Sequence, residues 1–217
     1  MDTNNLYLIR HGQSIYNLEN RFTGWRDVEL TGLGEKQAQE AGNMLKTIKF
    51  DIAFVSILKR AKDTLSILLR CNNNSCTNIV ENIALNERDY GDLIGQNKSE
   101  AAKIFGEEQV QIWRRSFDIP PPGGESLEMT AKRTIPYYKK EIMPSIISNN
   151  NVIISAHGNS LRAIVMDIFK LSSEEILKTE IGWCEPWKFC FDSKGNLSNY
   201  EIIPRSSEPS KSNLCKT

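Results

Sequence analysis

Short apolar runs that stop at a polar residue alternate along this chain with longer stretches of helical period. Leu6-Tyr7-Leu8-Ile9 predicts a buried strand that breaks at Arg10-His11-Gly12, and Asp51–Ser56 predicts a second. Between them Thr31 can cap a helix to Ile48, with Ala38, Ala41, Leu45 and Ile48 stepping by three and four. Ala61, Leu65, Leu68 and Leu69 predict a helix from about Lys59-Arg60, followed by an asparagine-rich loop over Cys71–Asn78. A third strand is expected over Ile79–Leu85. Val110, Trp113 and Phe117 mark a short helix stopped by Pro120–Gly124. Leu127, Ala131, Ile135, Tyr138, Ile142 and Ile146 then share one stripe of a long helix, kinked at Pro136. After a turn at Asn149–Asn151, Val152–Ala156 is an apolar strand that breaks at His157-Gly158. Leu161, Val165 and Ile168 carry the next helix, and Lys188–Asp192 the last strand, turned by Ser193–Asn196.

Strands alternating with helices of this length predict a three-layer α/β/α fold around a mostly parallel sheet, with ligands at the carboxyl ends of the strands. The 217 residues suit one catalytic domain, 1–204, with a polar, aperiodic tail at 205–217 expected to be mobile. The chain is 40% apolar and 25% charged, which excludes a disordered or fibrous protein. Lys+Arg and Asp+Glu number 27 each, so nucleic acid is not an expected partner. No stretch approaches the ~20 apolar residues of a membrane span, and the polar start Met1–Asn5 lacks the basic and apolar regions of a signal peptide. The five scattered cysteines form no C-x-x-C and predict free thiols in the cytoplasm.

Chemistry concentrates at the strand ends. The two histidines of the chain, His11 and His157, each end an apolar run and each precede a glycine. Both rings would therefore emerge on one edge of the sheet. Metal ligation is the rival reading, but no further ligand set accompanies them, and no metal is expected. Arg10, Arg60, Lys98 and the pair Arg114-Arg115 also fall at strand ends or in neighbouring segments. Singly each suits a solvated surface; together they can grip phosphate or carboxylate. A neutral imidazole ringed by guanidinium groups suits attack on phosphorus.

These residues sit in ordered blocks. Leu8-Ile9-Arg10-His11-Gly12-Gln13-Ser14 resembles the R-H-G opening of the histidine phosphatase superfamily. Arg21–Trp25, Leu58–Ala61, Leu85–Gly91, Gly95–Lys98, Trp113–Arg115 and Ala156–Ala163 narrow the resemblance to the cofactor-dependent phosphoglycerate mutases, from about Leu6 to about Ile203. The resemblance implies the same α/β/α fold, 3-phosphoglycerate and 2-phosphoglycerate as substrates, and 2,3-bisphosphoglycerate as primer. It implies His11 as the phosphohistidine, Glu87 as proton donor and acceptor, and His157 as the group stabilising the phosphoryl in flight. Arg10, Asn17 and Arg60 match phosphate ligands, helped by Ser14, Thr23, Gly24, Gly158 and Asn159. Tyr90, Lys98, Arg114 and Arg115 match the residues holding the substrate's other end. A primer of about −4 to −5 charge would meet five cations.

Two departures stand out. The link between Pro122 and Glu125 is short for the family, which leaves the oligomeric state, a homodimer included, open. Gly182–Trp187 replaces a Thr-Gly-x-Pro-like stretch, so the last loop is expected to pack differently. A phosphatase of the same superfamily shares His11, Arg10, Arg60, Glu87 and His157 but generally lacks the Tyr90, Lys98, Arg114, Arg115 set. Ser14 and Gly24 separate the chain from the bisphosphoglycerate synthase branch. A pseudoenzyme would be expected to lose a histidine or the acid, and all three are present.

Overall fold

Alternation along the strands decides which side chains face which layer. The computed structural model describes residues 4–73, 76 and 78–216. Met1, Asp2 and Thr3 of the polar start, Asn74, Ser75 and Thr77 of the expected asparagine-rich loop, and Thr217 of the tail lie outside the described residues. In chain order the elements are β1 (Asn5–Arg10), α1 (Ile15–Leu18), α2 (Gly32–Met44), β2 (Ile52–Val55), α3 (Lys59–Cys71) and β3 (Ile79–Glu81). There follow α4 (Lys98–Phe105), α5 (Glu107–Arg115), α6 (Leu127–Tyr137), α7 (Met143–Ile147), β4 (Asn151–Ala156), α8 (Gly158–Phe169), α9 (Ser173–Lys178), β5 (Trp187–Phe191) and β6 (Leu197–Ile202).

The six strands form one sheet in the order β3-β2-β4-β1-β5-β6. Its first four strands are parallel, while β5 and β6 run antiparallel to their neighbours. Leu6 and Leu8 of β1, with Val152, Ile154 and Ala156 of β4, point into a core shared with α6, α7, α8 and α9. Tyr7, Ile9 and Ile153, one residue out of phase, point the other way, against α2 and α3. This period of two on strands buried on both faces is the physical content of the three-layer fold. A third cluster, Phe22, Leu93, Ala101, Val110 and Trp113, packs the segment after α1 against α4 and α5.

The chain departs from its sequence expectations in four places. The third strand ends at Glu81, because Asn82 caps a 3₁₀ turn at Ile83–Leu85 through a bond from the Ala84 N–H (2.8 Å). The segment around Val110 and Trp113 holds two helices, α4 and α5, broken at Gly106 with φ +87°, and Phe117 lies beyond the second. The long helix is α6, a π turn at Tyr138–Ile142 and α7, since Pro136 and Pro144 each remove an N–H from the ladder. Lys188–Asp192 is not the last strand: β5 turns through Asp192–Asn196 into β6.

The aperiodic tail, expected to be mobile, carries polar anchors that periodicity does not reveal. Arg205 is buried and pairs with Glu40 (3.5 Å) and Glu208 (2.9 Å). The Glu185 carboxylate accepts from the Lys211 and Ser212 N–H groups (2.9 Å each) and the Ser210 hydroxyl (2.8 Å). Among the described residues no helix is long and apolar enough to cross a membrane, and Cys71, Cys76, Cys184, Cys190 and Cys215 are free.

Candidate active site

Sheet register sets the two histidines side by side. Arg10 pairs with Ala156 across β1 and β4, so His11 and His157 are the next residues out of adjacent parallel strands. Their ring centroids lie 5.0 Å apart, and both are buried. Gly12 lets the chain beyond β1 pass close to the start of α2, since a Cβ there would run into the backbone of Gly34. His11 Nδ1 lies 2.7 Å from the Gly12 carbonyl oxygen. A carbonyl can only accept, so Nδ1 carries the proton and Nε2 carries the lone pair. Burial first, then the Arg60 and Arg10 charges, hold the His11 pKa well below 6.5. His11 is thus a neutral imidazole at neutral pH, with an unprotonated Nε2.

His157 reaches Ser56 Oγ through Nε2 (2.8 Å), and its pKa is likewise held well below 6.5 by burial, then by Arg60 and His11. Arg60 lies on the first turn of α3, buried, and donates to the carbonyls of Arg26 (3.0 Å) and Gly24 (2.9 Å). Burial pushes its pKa down to about 10, so it stays charged. The buried Nε atoms of Arg10 and Arg60 have no hydrogen-bond partner. Two unsatisfied guanidinium donors beside a neutral imidazole suit the oxygens of an incoming anion.

Glu87 follows the 3₁₀ turn that ended the third strand early. Its Oε1 accepts from the N–H groups of Arg88 (2.8 Å) and Asn159 (3.1 Å) and from Asn159 Nδ2 (2.9 Å). Burial alone would raise its pKa, but these bonds and the Arg60 and Arg10 charges outweigh it and hold the carboxyl below 4.5. Asn159 sits in the first turn of α8, which begins at Gly158, so the helix N-terminus meets the Glu87 carboxylate through the Asn159 N–H and favours its charge.

One cleft unites eleven of the sequence-predicted residues: Arg10, Asn17, Thr23, Gly24, Glu87, Tyr90, Lys98, Arg114, Arg115, Gly158 and Asn159 all line it. The other four, His11, Ser14, Arg60 and His157, are buried beside it, and Ser14 holds Asn17 in a reciprocal cap. Lys98, at the start of α4, has its pKa pushed down to about 8 by burial and the Arg114 and Arg10 charges. Arg21, Phe22, Arg162, Glu180 and Ile181 line the cleft as well, without having been singled out from sequence. Arg21, Phe22 and Arg162 fall within the family-like blocks, where the resemblance assigns them no role; Glu180 and Ile181 lie outside those blocks and carry no local signal. A brace behind Glu87 was also missed: its carbonyl accepts from Trp25 Nε1 (2.6 Å) and from Arg133 (2.8 Å), which Glu125 holds in turn. Among the described residues no three His, Cys, Asp or Glu side chains cluster as a metal site.

The family model of the histidine phosphatase superfamily (branch 1) matches residues 6–199. The chain belongs to that superfamily. Within it, a 2,3-bisphosphoglycerate-dependent phosphoglycerate mutase of Parvibaculum lavamentivorans is 51% identical over 92% of this chain and 96% of that one. The enzyme of the same name from Nitrobacter hamburgensis is 54% identical over 83% and 88%. The solved alpha-ribazole phosphatase of Shigella flexneri superposes with a TM-score of 0.80 over 96% of this chain and all of its own, at 20% identity, a likeness of fold. That phosphatase therefore shares the layered sheet, while the two mutases share half the residues.

Proposed function

We propose that this chain interconverts 3-phosphoglycerate and 2-phosphoglycerate through a phosphohistidine at His11. The arrangement that carries the reading is a neutral, buried His11 beside a cleft whose outer part is lined by Lys98, Arg114 and Arg115. A phosphatase needs the inner half of such a site; a mutase must also grip the end of the substrate not being phosphorylated. Bound 2,3-bisphosphoglycerate supplies the phosphoryl group that loads His11, and the unsatisfied Arg10 and Arg60 donors with the outer cations fit its charge.

From the loaded enzyme, the substrate's 2-hydroxyl oxygen bonds to phosphorus while Glu87 accepts its proton and the P–Nε2 bond of His11 breaks. The free Nε2 then attacks the phosphorus on the 3-oxygen, the P–O bond breaks, and Glu87 returns the proton to that oxygen. Each half-step leaves Glu87 and His11 in the state the next one needs. Arg10, Arg60 and His157 face the charge that gathers on the phosphoryl oxygens. Asn17, Thr23, Gly24 and the start of α8 at Gly158 and Asn159 complete the phosphate cradle; Tyr90 aligns the distal clamp. Five free thiols suit the cytoplasm, where we place the enzyme.

The deciding assay follows 3-phosphoglycerate to 2-phosphoglycerate with and without catalytic 2,3-bisphosphoglycerate, with EDTA present, beside a panel of phosphate monoesters. Primer-dependent conversion far faster than any hydrolysis supports the reading. Rapid hydrolysis of several monoesters without conversion refutes it.

A further inference from the structure

Two carboxylates line the cleft, and the steps above use one of them, Glu87. The other, Glu180, divides its oxygens between two guanidinium groups. Oε1 accepts from Arg115 at 2.6 Å and Oε2 from Arg162 at 2.5 Å. Its backbone exchanges two bonds of 2.8 Å with Asn213 of the tail, so the carboxylate projects from a fixed point. These arginines, rather than burial, which would act the other way, hold its pKa below 4.5, so it stays ionised.

The two arginines differ in freedom. The Arg162 side chain is only 12% exposed; its Nε also donates to the Thr179 carbonyl (2.7 Å), and it approaches Asn159 Oδ1 at 3.5 Å. Arg115 is 43% exposed and reaches Glu180 from α5, a separate element. A carboxylate in a cleft for polyanions opposes an anion brought next to it, and here it also occupies Arg115, a cation of the cleft. Its charge offsets the mutual repulsion of Arg114, Arg115 and Arg162 when the cleft is empty.

We propose that Glu180 sets affinity and specificity as an internal anion: it occupies Arg115 until the distal anion of the ligand displaces it. The inference rests on the reading that Arg115 grips the far end of a phosphoglycerate. A ligand with one phosphate and no second anion sits at the inner cations and leaves Arg115 on Glu180, so it gains nothing from Arg115. A ligand with a carboxylate or second phosphate takes Arg115 over, while Arg162 keeps Glu180 paired. The exchange keeps multiply charged ligands from binding so tightly that they cannot leave.

The test measures equilibrium binding of 3-phosphoglycerate and of inorganic phosphate to unphosphorylated wild type, Glu180→Gln, Glu180→Asp, Arg115→Gln and the Glu180→Gln, Arg115→Gln double variant. Glu180→Gln should tighten 3-phosphoglycerate by about tenfold, the size of one charge-assisted hydrogen bond, and leave phosphate within about twofold. Glu180→Asp, which keeps the charge, should restore wild-type affinity. Arg115→Gln should cost more in the Glu180→Gln background, where Arg115 is free, than in wild type. Weaker 3-phosphoglycerate binding in Glu180→Gln, equal changes for both ligands, or equal costs of Arg115→Gln in both backgrounds would overturn the proposal. Should Glu180→Gln fail to fold, a crystal structure of wild type with 3-phosphoglycerate decides: Arg115 moved from Glu180 to the ligand supports it, and Arg115 still on Glu180 refutes it. Wild type that binds phosphate but not 3-phosphoglycerate would instead remove the underlying functional reading, and this inference with it.

Discussion

Glu87→Gln removes a proton acceptor and a negative charge while keeping the side chain's shape. The glutamine oxygen can still accept from the Arg88 and Asn159 N–H groups and from Asn159 Nδ2, the three bonds that fix Oε1. The backbone stays braced by Trp25 and Arg133. Geometry is therefore preserved, and the loss falls on chemistry. General-base help is worth about 10²–10⁴ in rate, or roughly 3–5 kcal/mol of barrier. A second effect is electrostatic and falls on stability: Arg10 and Arg60 lose the carboxylate that offsets their charge, and a buried charge left unpaired costs about 3–5 kcal/mol. The anionic substrate partly replaces that charge, so KM should hold or fall while kcat drops at least a hundredfold. Steady-state kinetics with 3-phosphoglycerate and saturating primer read both constants, and thermal unfolding with and without substrate reads the stability loss. A kcat within a few-fold of wild type would refute proton transfer by Glu87, whatever the stability change.

Further outcomes follow from the charges of the site. Both histidines have folded-state pKa values well below 6.5, so neither ring should titrate near 6.5 in NMR of the empty enzyme. Because the unfolded chain binds those protons first, stability should fall as pH drops below about 6.5, by up to about 1.4 kcal/mol per pH unit for each ring; a flat stability profile there would contradict this. Lys98 titrates at about 8 in the free enzyme and is charged only below that, so kcat/KM should decline above about pH 8. Lys98→Arg should move that decline upward, and an unmoved limb would assign it to another group. Arg114→Ala should weaken 3-phosphoglycerate binding by about ten- to a hundredfold while sparing hydrolysis of a small monoester; equal losses would put Arg114 in the phosphoryl site.

Local signals made most of the fold legible. Apolar runs ending at His11 and His157 located both central strands and the edge from which the rings emerge, because a parallel strand buried on both faces has to be continuously apolar. The same logic missed β6, whose Leu197–Ile202 is largely exposed and polar, and overextended the third strand, where Asn82 capped a turn that hydrophobicity cannot register. The site was legible where residues sit in ordered blocks near strand ends. Glu180, Trp25 and Arg133 were not, since each acts on a group far away in sequence: Glu180 meets Arg115 across 65 positions, Trp25 and Arg133 meet the Glu87 carbonyl across 62 and 46, and Arg162 takes its place only through Glu180. The tail's anchors on Glu40 and Glu185 escaped for the same reason.

Phosphoryl transfer onto His11 is tested most directly by trapping the enzyme with phosphate-labelled 2,3-bisphosphoglycerate. The account predicts one label per chain that is acid-labile and alkali-stable, as a phosphoimidazole is, located by peptide mapping at His11 Nε2 and absent from His11→Ala. Because His11 Nδ1 is committed to the Gly12 carbonyl, phosphorus on Nδ1 is not expected. Label on His157, label on a hydroxyl side chain, or label persisting in a folded His11→Ala would contradict it.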